Sequence, residues 1–286
     1  MDAVTITLAQ MVVEDGRPDR NLHRMRGVAR DYGASSDIIL FPEASVTGFN
    51  PPDATQAMAE PLDGETVKVL SEIASEFHTT IVGGLLERDG DRIYNTSVWV
   101  GPDGLRLWYR KMHRWQDEAR RIAAGDAVRA RNWGGTRFGL LICYDVEFPE
   151  TARATAALGL DVLLLTNGNM APYGPVHRRA IQARAQENQV YVVMANRVGV
   201  AGRERYVGES MAANPYGEIM AALGEDEGAV TVTLDLGLIA ESRSRYRYLD
   251  ERRIHLQGPD QHSDGDIVSW QVGVPDPRST SIRQKT

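Results

Sequence analysis

The chain has 286 residues, 42% of them apolar and 25% charged, with 32 Lys and Arg against 39 Asp and Glu and a formal net charge of −7. That acidic balance supplies no electrostatic ground for binding nucleic acid or an anionic membrane surface. A single cysteine excludes an internal disulfide and a cysteine-built zinc site.

The opening stretch "MDAVTITLAQMVVEDG" lacks the basic and long apolar regions of a secretory signal. No apolar run approaches the ~18 residues of a membrane span. A cytoplasmic protein is expected, and the sequon Asn95-Thr96-Ser97 is expected to be without use.

In chain order, Val4–Ala9 and Asp37–Phe41 predict short strands, β-branched and nearly continuous as in a buried sheet. Between them Leu22, Met25, Val28, Ala29 and Tyr32 recur at helical spacing, with Asn21 as the expected N-cap. Val67, Leu70, Ile73, Ala74 and Phe77 repeat that spacing in a second helix, and "TTIVGGLL" and "TSVWVG" predict the next strands. Arg106–Trp133 reads as irregular. The order then returns: "TRFGLLIC" as strand, Pro149–Ala157 as helix, "DVLLLT" as strand, Val176–Gln189 as helix, "VYVVMAN" as strand, closed by "ESMAANP" and "AVTVTL". The glycine pairs in "VGG" and "NWGG" read as turns, without the lysine or fingerprint of a phosphate-binding loop.

Alternating helices and buried strands imply an α/β fold, either one continuous sheet or two stacked sheets with helices outside. The two halves share an order of elements without sequence repetition, a weak sign of duplication. The turn-rich residues from 257 on predict a tail or a subunit-wrapping arm, leaving 1–256 as one domain and 257–286 as the tail.

Reactive side chains fall at the ends of predicted strands, where open α/β sheets gather their sites. Glu43 follows "DIILFP", Cys143 ends "FGLLIC", and Asn167 follows "DVLLLT", while Lys111 lies in the irregular segment. Each has an ordinary alternative: a cysteine beside Leu and Ile is usually a small buried hydrophobe, a glutamate after a strand is usually at the surface, and "YRKMHR" can be a solvated basic stretch.

The segments "FPEASVTGF", "YRKMHRWQDE" and "LLICYDVEFPE", in that order, resemble the three signatures of the nitrilase superfamily of carbon–nitrogen hydrolases. The resemblance runs from "ITLAQ" to "AVTVTLD" and implies that superfamily's four-layer α-β-β-α sandwich, choosing the stacked-sheet option. It also implies Glu43 as general base, Lys111 as catalytic lysine, Cys143 as nucleophile and Glu118 as a second, positioning glutamate. Arg114 and Trp115 depart from the superfamily's common lysine segment, which bears on pocket shape more than on chemistry.

The chemistry needs those residue types. A free thiol near pKa ~8.5 is mostly protonated at neutral pH, a nearby ammonium favours its anion, and a placed carboxylate can take its proton. Lys111 and the backbone N–H of Tyr144 are the expected oxyanion donors. "CYD" resembles the amidase-like branches, so hydrolysis of a small carboxamide to acid and ammonia is expected, ahead of a nitrile or an N-carbamoyl amide, with a non-catalytic binding protein a distant alternative. Phe49, Trp115, Asn167, Asn169 and Tyr173 are the expected substrate contacts. A cysteine–histidine pair through His113 or His177 is the weaker arrangement, since nothing in the sequence sets either ring against Cys143. No metal or other cofactor is expected from six scattered histidines. "SRSRYRYLDERR" reads as a solvated helix or subunit contact, and the resemblance implies a homodimer or larger homo-oligomer with a small-molecule amide as partner.

Overall fold

The computed structural model describes residues 2–49, 52–254 and 261–272. The first half carries β1 (Ala3–Gln10), α1 (Pro18–Tyr32), β2 (Ile38–Leu40), α2 (Pro52–Met58), α3 (Glu65–Glu76), β3 (Thr80–Asp89), β4 (Arg92–Gly101) and β5 (Gly104–Arg110). The second carries β6 (Ala127–Trp133), β7 (Thr136–Ile142), α4 (Pro149–Ala156), β8 (Val162–Asn167), α5 (Gly174–Asn188) and β9 (Tyr191–Asn196). There follow β10 (Val198–Ala201), β11 (Glu204–Val207), β12 (Met211–Ala213), β13 (Ile219–Ala222), β14 (Gly228–Asp235), α6 (Gly237–Arg245), β15 (Gln261–Asp264) and β16 (Ile267–Gln271).

Two large sheets result, of order β14-β1-β2-β3-β4-β5 and β13-β12-β9-β8-β7-β6-β16-β15. Each has three parallel strands, β1-β2-β3 and β7-β8-β9, continued on both sides by antiparallel ones. The common order of elements read from the two halves is therefore a common topology.

Side-chain alternation builds the layers. Ile38 and Leu40 join Val4, Ile6 and Leu8 in the core between the sheets, against Phe138, Leu140, Leu164 and Tyr191. Ile39 and Phe41 point the other way, to Met25 and Ala29 of α1 and Leu70 and Ile73 of α3. Strands buried on both faces need no polar positions, which is why "IIL" and "VLLLTN" run apolar almost without interruption. With α4 and α5 packed on the far face of the second sheet, the layers are α-β-β-α. Among the described residues no helix is long and apolar enough to cross a membrane.

Four expectations change. Asn21 is not an N-cap: α1 begins at Pro18, and Asn21 is buried inside it, donating to the carbonyls of Glu14 and Val46 and accepting from the Glu14 N–H. Gly83 and Gly84 are not a turn but lie within β3. A Cβ on Gly84 would stand 2.2 Å from the Ala44 nitrogen, so this strand is bare where the loop bearing Glu43 presses on it. Gly134 and Gly135 do form the β6–β7 turn, both at positive φ.

The segment Arg106–Trp133 is irregular only in its middle, since it contains most of β5 and all of β6. Arginines mask these strands, because their stems and guanidiniums cover aromatic rings: Arg110 over Tyr94 at 3.9 Å and Arg129 over Trp108 at 4.9 Å. Finally, part of the residues read as tail forms the β15–β16 hairpin, paired to β6 with Trp270 buried opposite Val128. Residues 255–260 and 273–286 of that segment lie outside the described residues.

Candidate active site

Three strand ends converge. Glu43 lies in the turn after β2, Lys111 directly follows β5, and Cys143 follows β7 as the first residue of a short 3-10 turn. Their backbones are pinned locally: the Glu43 N–H donates to the Asn167 carbonyl at 3.1 Å, and the Lys111 N–H to the Asn95 carbonyl at 2.9 Å. All three side chains are nearly closed off, at 1% exposure for Glu43, 2% for Lys111 and 9% for Cys143.

The Lys111 ammonium donates to Glu43 Oε1 at 2.8 Å and to Glu118 Oε2 at 2.9 Å. Asn95 Nδ2 donates to the same Glu43 oxygen at 2.7 Å, and the Trp115 N–H to Glu118 Oε2 at 2.6 Å. Glu43 Oε1 is therefore fully engaged, while Oε2 is buried without a hydrogen-bond partner. Glu43 and Cys143 lie close enough that thiol and carboxylate act directly on each other's ionisation. Gly168 makes that approach possible, since a Cβ there would lie 2.7 Å from Glu43 Oε2 and 2.9 Å from the Phe49 ring.

Burial sets the resting charges. It pushes the Glu43 carboxyl above its ordinary range, against the pull of Lys111. For Lys111 burial works against the ammonium, but Glu43 and Glu118 outweigh it and hold the lysine well above its usual value. Burial, then the Glu43 charge, drives the Cys143 thiol well up, with Lys111 and the backbone of Gly168 opposing. The resting sulfur is thus a thiol: Lys111 alone does not make it an anion. Moving its proton to Glu43 leaves the net charge of the cluster unchanged, whereas losing it to bulk water would add a second uncompensated negative charge in a buried site.

Cys143 sits at φ 44°, the left-handed region. A side chain there carries about 1–2 kcal/mol of strain, which the surroundings must hold. Asp145 does much of the holding. Completely buried, it accepts from Tyr109 Oη at 2.9 Å and from the His113 N–H and Nδ1 at 2.8 Å each. Tyr109 and His113 flank Lys111 in sequence, so one carboxylate ties the cysteine turn to both sides of the lysine. Asp145→Asn keeps the volume but turns one acceptor oxygen into a donor. It is expected to cost about 1.5–3 kcal/mol in urea unfolding and to lower kcat more than it raises KM.

The residues expected to contact substrate divide. Trp115, Tyr173 and Asn169 line a small cavity beside Cys143, together with Tyr144 and Met170. The Trp115 ring meets Tyr144 edge-on at 4.9 Å and Tyr173 at 5.4 Å, which makes a rigid aromatic wall. Phe49 lies instead on the Glu118 side, in a second small cavity with Asn95 and Arg121, stacked near Tyr206 and backed by Arg197. Asn167 does not reach either cavity wall: it is buried, with Nδ2 on the Met194 sulfur at 3.1 Å. The Tyr144 N–H is in the first turn of its 3-10 helix, where no intrahelical carbonyl can accept it.

Neither histidine is set to be the base. His113 is held by Asp145 and stacked on Phe148 at 3.7 Å, and His177 Nε2 pairs with Glu147 at 3.1 Å. Among the described residues no group of His, Cys, Asp and Glu is arranged to hold a metal. Asn95, Asp145, Glu147 and Gly168 are the site residues that sequence reasoning missed. Asp145 and Glu147 left a signal, as acids within the largely apolar run "LLICYDVEF", where a buried acid must be hydrogen-bonded.

Comparison with known proteins shows the family. The chain is 44% identical over 263 residues to an (R)-stereoselective amidase of a Pseudomonas species, covering 91% of this chain and 96% of that one. Its fold superposes on XC1258 of Xanthomonas campestris, a CN-hydrolase superfamily protein with an arsenic adduct in its active site, at TM-score 0.85 and 27% identity, over 90% of this chain and all of that one. A double mutant of the amidase from Nesterenkonia sp. AN1 in complex with acrylamide matches at TM-score 0.80 and 26% identity, over 88% and 95% of the two chains. With the carbon–nitrogen hydrolase model matching residues 5–244, the α-β-β-α chain belongs to the carbon–nitrogen hydrolase family, within the nitrilase superfamily.

Proposed function

We propose that this carbon–nitrogen hydrolase is a thiol amidase, converting a small carboxamide to its acid and ammonia through a thioester on Cys143. One observation carries the proposal: Glu43 spends one oxygen on Lys111 and Asn95, its other oxygen is left without a hydrogen-bond partner, and the carboxylate and the Cys143 thiol act directly on each other. Glu43 takes the Cys143 proton as the sulfur attacks the amide carbon. The oxyanion forms against the Lys111 ammonium and the Tyr144 N–H, and one such donor is worth roughly 3 kcal/mol. Glu43 then gives its proton to the amide nitrogen, the C–N bond breaks and ammonia leaves. Water loses a proton to Glu43 and attacks the thioester; the acid departs, and the sulfur regains the proton from Glu43. Glu118 positions Lys111 and the substrate amide.

The test is ammonia release from a panel of small amides with their matched nitriles, run with and without hydroxylamine. Amide turnover with hydroxamate formed in competition with acid is expected, since the amine captures the thioester. Turnover confined to the nitriles, or amide hydrolysis with no hydroxamate, would remove the proposal.

A pH profile adds a second check. The carboxylate form of Glu43 is the active one, and burial raises its pKa. For a neutral amide kcat/KM should fall with decreasing pH along a limb above the ordinary carboxylate value of ~4.3. Lys111 and Cys143 are both held well up, so the plateau should run far to the alkaline side. A cytoplasmic setting, in which a lone thiol stays reduced, and self-association through the exposed Tyr246, Tyr248 and Ile254 belong to the same proposal; sedimentation velocity tests the latter.

A further inference from the structure

Beside the site lies a buried cation that the proposed reaction does not use. Arg197, the first residue after β9, is 1% exposed, and an apolar side chain would fill such a place without the cost of burying a charge. Its fork is spent on segments far away in the chain: Nη2 donates to the Val13 carbonyl at 2.6 Å, and Nη1 and Nη2 each reach Asp15 Oδ1 at 3.3 Å. The guanidinium also lies 4.0 Å over the Tyr206 ring and 5.2 Å over the Phe49 ring. We propose that Arg197 is a positioning residue for this reaction, holding the Phe49 ring as a cover over Gly168 and the unpartnered oxygen of Glu43 so that bulk water is kept from the base. The inference rests on the amidase proposal, in which Glu43 is that base.

Contacts form a closed circuit from Arg197 to the base and back. Asp15 Oδ1, which takes the guanidinium, also accepts the Phe49 N–H at 2.9 Å, so one carboxylate oxygen ties the arginine to the aromatic residue. Gly48, at φ 67°, lets that loop lie on Asp15, where a Cβ would stand 2.5 Å from the Asp15 Cα. The Phe49 ring then meets Gly168. A Cβ on Gly168 would lie 2.9 Å and 3.0 Å from two ring carbons and 2.7 Å from Glu43 Oε2, so ring and oxygen close on one point. The circuit returns through the next residue: the Asn169 N–H donates to Asn196 Oδ1 at 2.8 Å, and the Arg197 N–H donates to the same oxygen at 3.0 Å. Arg197 therefore fixes Phe49 from one side and the Gly168 segment from the other.

The cover acts on the chemistry through the base. Burial is the largest cause that raises the Glu43 carboxyl, and a stronger base takes the Cys143 proton more readily. The charged groups around Glu43 are Lys111, Glu118 and Cys143, and a change at residue 197 or 49 alters none of them. Tyr206, the second ring under the guanidinium, is within electrostatic reach of the same pair: burial pushes its hydroxyl up, Arg197 opposes, and Asp15, Glu43 and Cys143 add to the rise. A lysine in place of Arg197 would keep the charge but lose the flat fork that serves two acceptors while stacking on two rings. Arg197→Lys thus separates positioning from charge. Loss of a cation would raise the Glu43 carboxyl further, whereas loss of the cover admits water and lowers it toward its ordinary value.

Arg197→Lys, Phe49→Ala and the double variant form the test. Gly48→Ala, which pushes the Phe49 loop off Asp15 with no change of charge, stands in for Arg197→Lys if that protein does not fold. On a neutral amide each single variant is expected to lose on the order of ten- to a hundredfold in plateau kcat/KM, and its acid limb should move to lower pH by roughly half a unit or more. The double variant should stay within about threefold of Phe49→Ala, because Arg197 acts through that ring. Infrared titration of the carboxylate band that Glu43→Gln removes reads the same shift without turnover. An unmoved titration in folded Arg197→Lys or Gly48→Ala protein, or losses that multiply in the double variant, would overturn the inference and leave the amidase proposal standing. A lowered titration in the variants of a protein that hydrolyses no amide would support the cover and remove the amidase chemistry instead.

Discussion

Cys143→Ala is expected to lower amide turnover by ~10⁴-fold or more while leaving the fold intact. The two halves of that expectation have separate causes. In the proposed mechanism every covalent event passes through the sulfur, so what survives its loss is only the contribution of the remaining oxyanion donors and of substrate binding. The fold should tolerate the change because the removed atom is small and partly open to the cavity, at 9% residue exposure. Alanine adds no strain either, since the φ of 44° is imposed on any L-residue there. The turn is held by Asp145 rather than by the thiol. Cys143→Ser should be almost as inactive, because a buried hydroxyl is far harder to deprotonate than a thiol and Glu43 would have to do so. Turnover above a tenth of wild type in either variant, measured by ammonia release on protein with a wild-type unfolding midpoint, would end the mechanism.

How much of this was legible in the sequence follows from where each property resides. Glu43 and Cys143 close apolar strands, so their position at a sheet edge is a local fact that periodicity can read. Lys111 was legible only as part of an ordered set of three segments, because arginines hide the strand before it. Asn95 could not be found: it is one polar position in a strand, and only the register of β4 against β5, with Thr96 opposite Arg110, brings it to Glu43 and Glu118. Gly84 and Gly168 are likewise silent alone, since their value lies in what a Cβ would strike on another segment. The sequence did place an ammonium near the thiol, and from that an anionic sulfur follows naturally. Burial reverses the conclusion, and burial is a property of the packed molecule. Residues at strand ends are thus readable in advance; protonation states and bracing contacts are not.

Lys111→Met should be the most damaging single change to stability in the site, by about 3–5 kcal/mol near neutral pH. The lysine is 2% exposed and is the only cation hydrogen-bonded to Glu43 and Glu118 among the described residues, so its loss strands two facing carboxylates in a buried site. The sign of the pH dependence distinguishes this from an ordinary packing loss. Without the ammonium, the Glu43 carboxyl of the folded state moves still further above its unfolded value, so the folded protein binds protons more tightly. Stability of the variant should therefore recover as pH falls through that raised value and decline as pH rises through it; a packing defect would be indifferent to pH. Adding Glu43→Gln to Lys111→Met should return a large share of the lost stability at pH 8 by removing one stranded charge, a coupling that two independent lesions would not show. Activity should still be down by ~10²–10³-fold from the oxyanion donor alone, and the double variant, lacking the base as well, should be inert. Urea midpoints for the two variants at pH 5.5 and pH 8 decide the matter. A Lys111→Met protein as stable as wild type at both would mean that the three charges do not hold one another, and the proton path from Cys143 to Glu43 would lose the electrostatic balance it depends on.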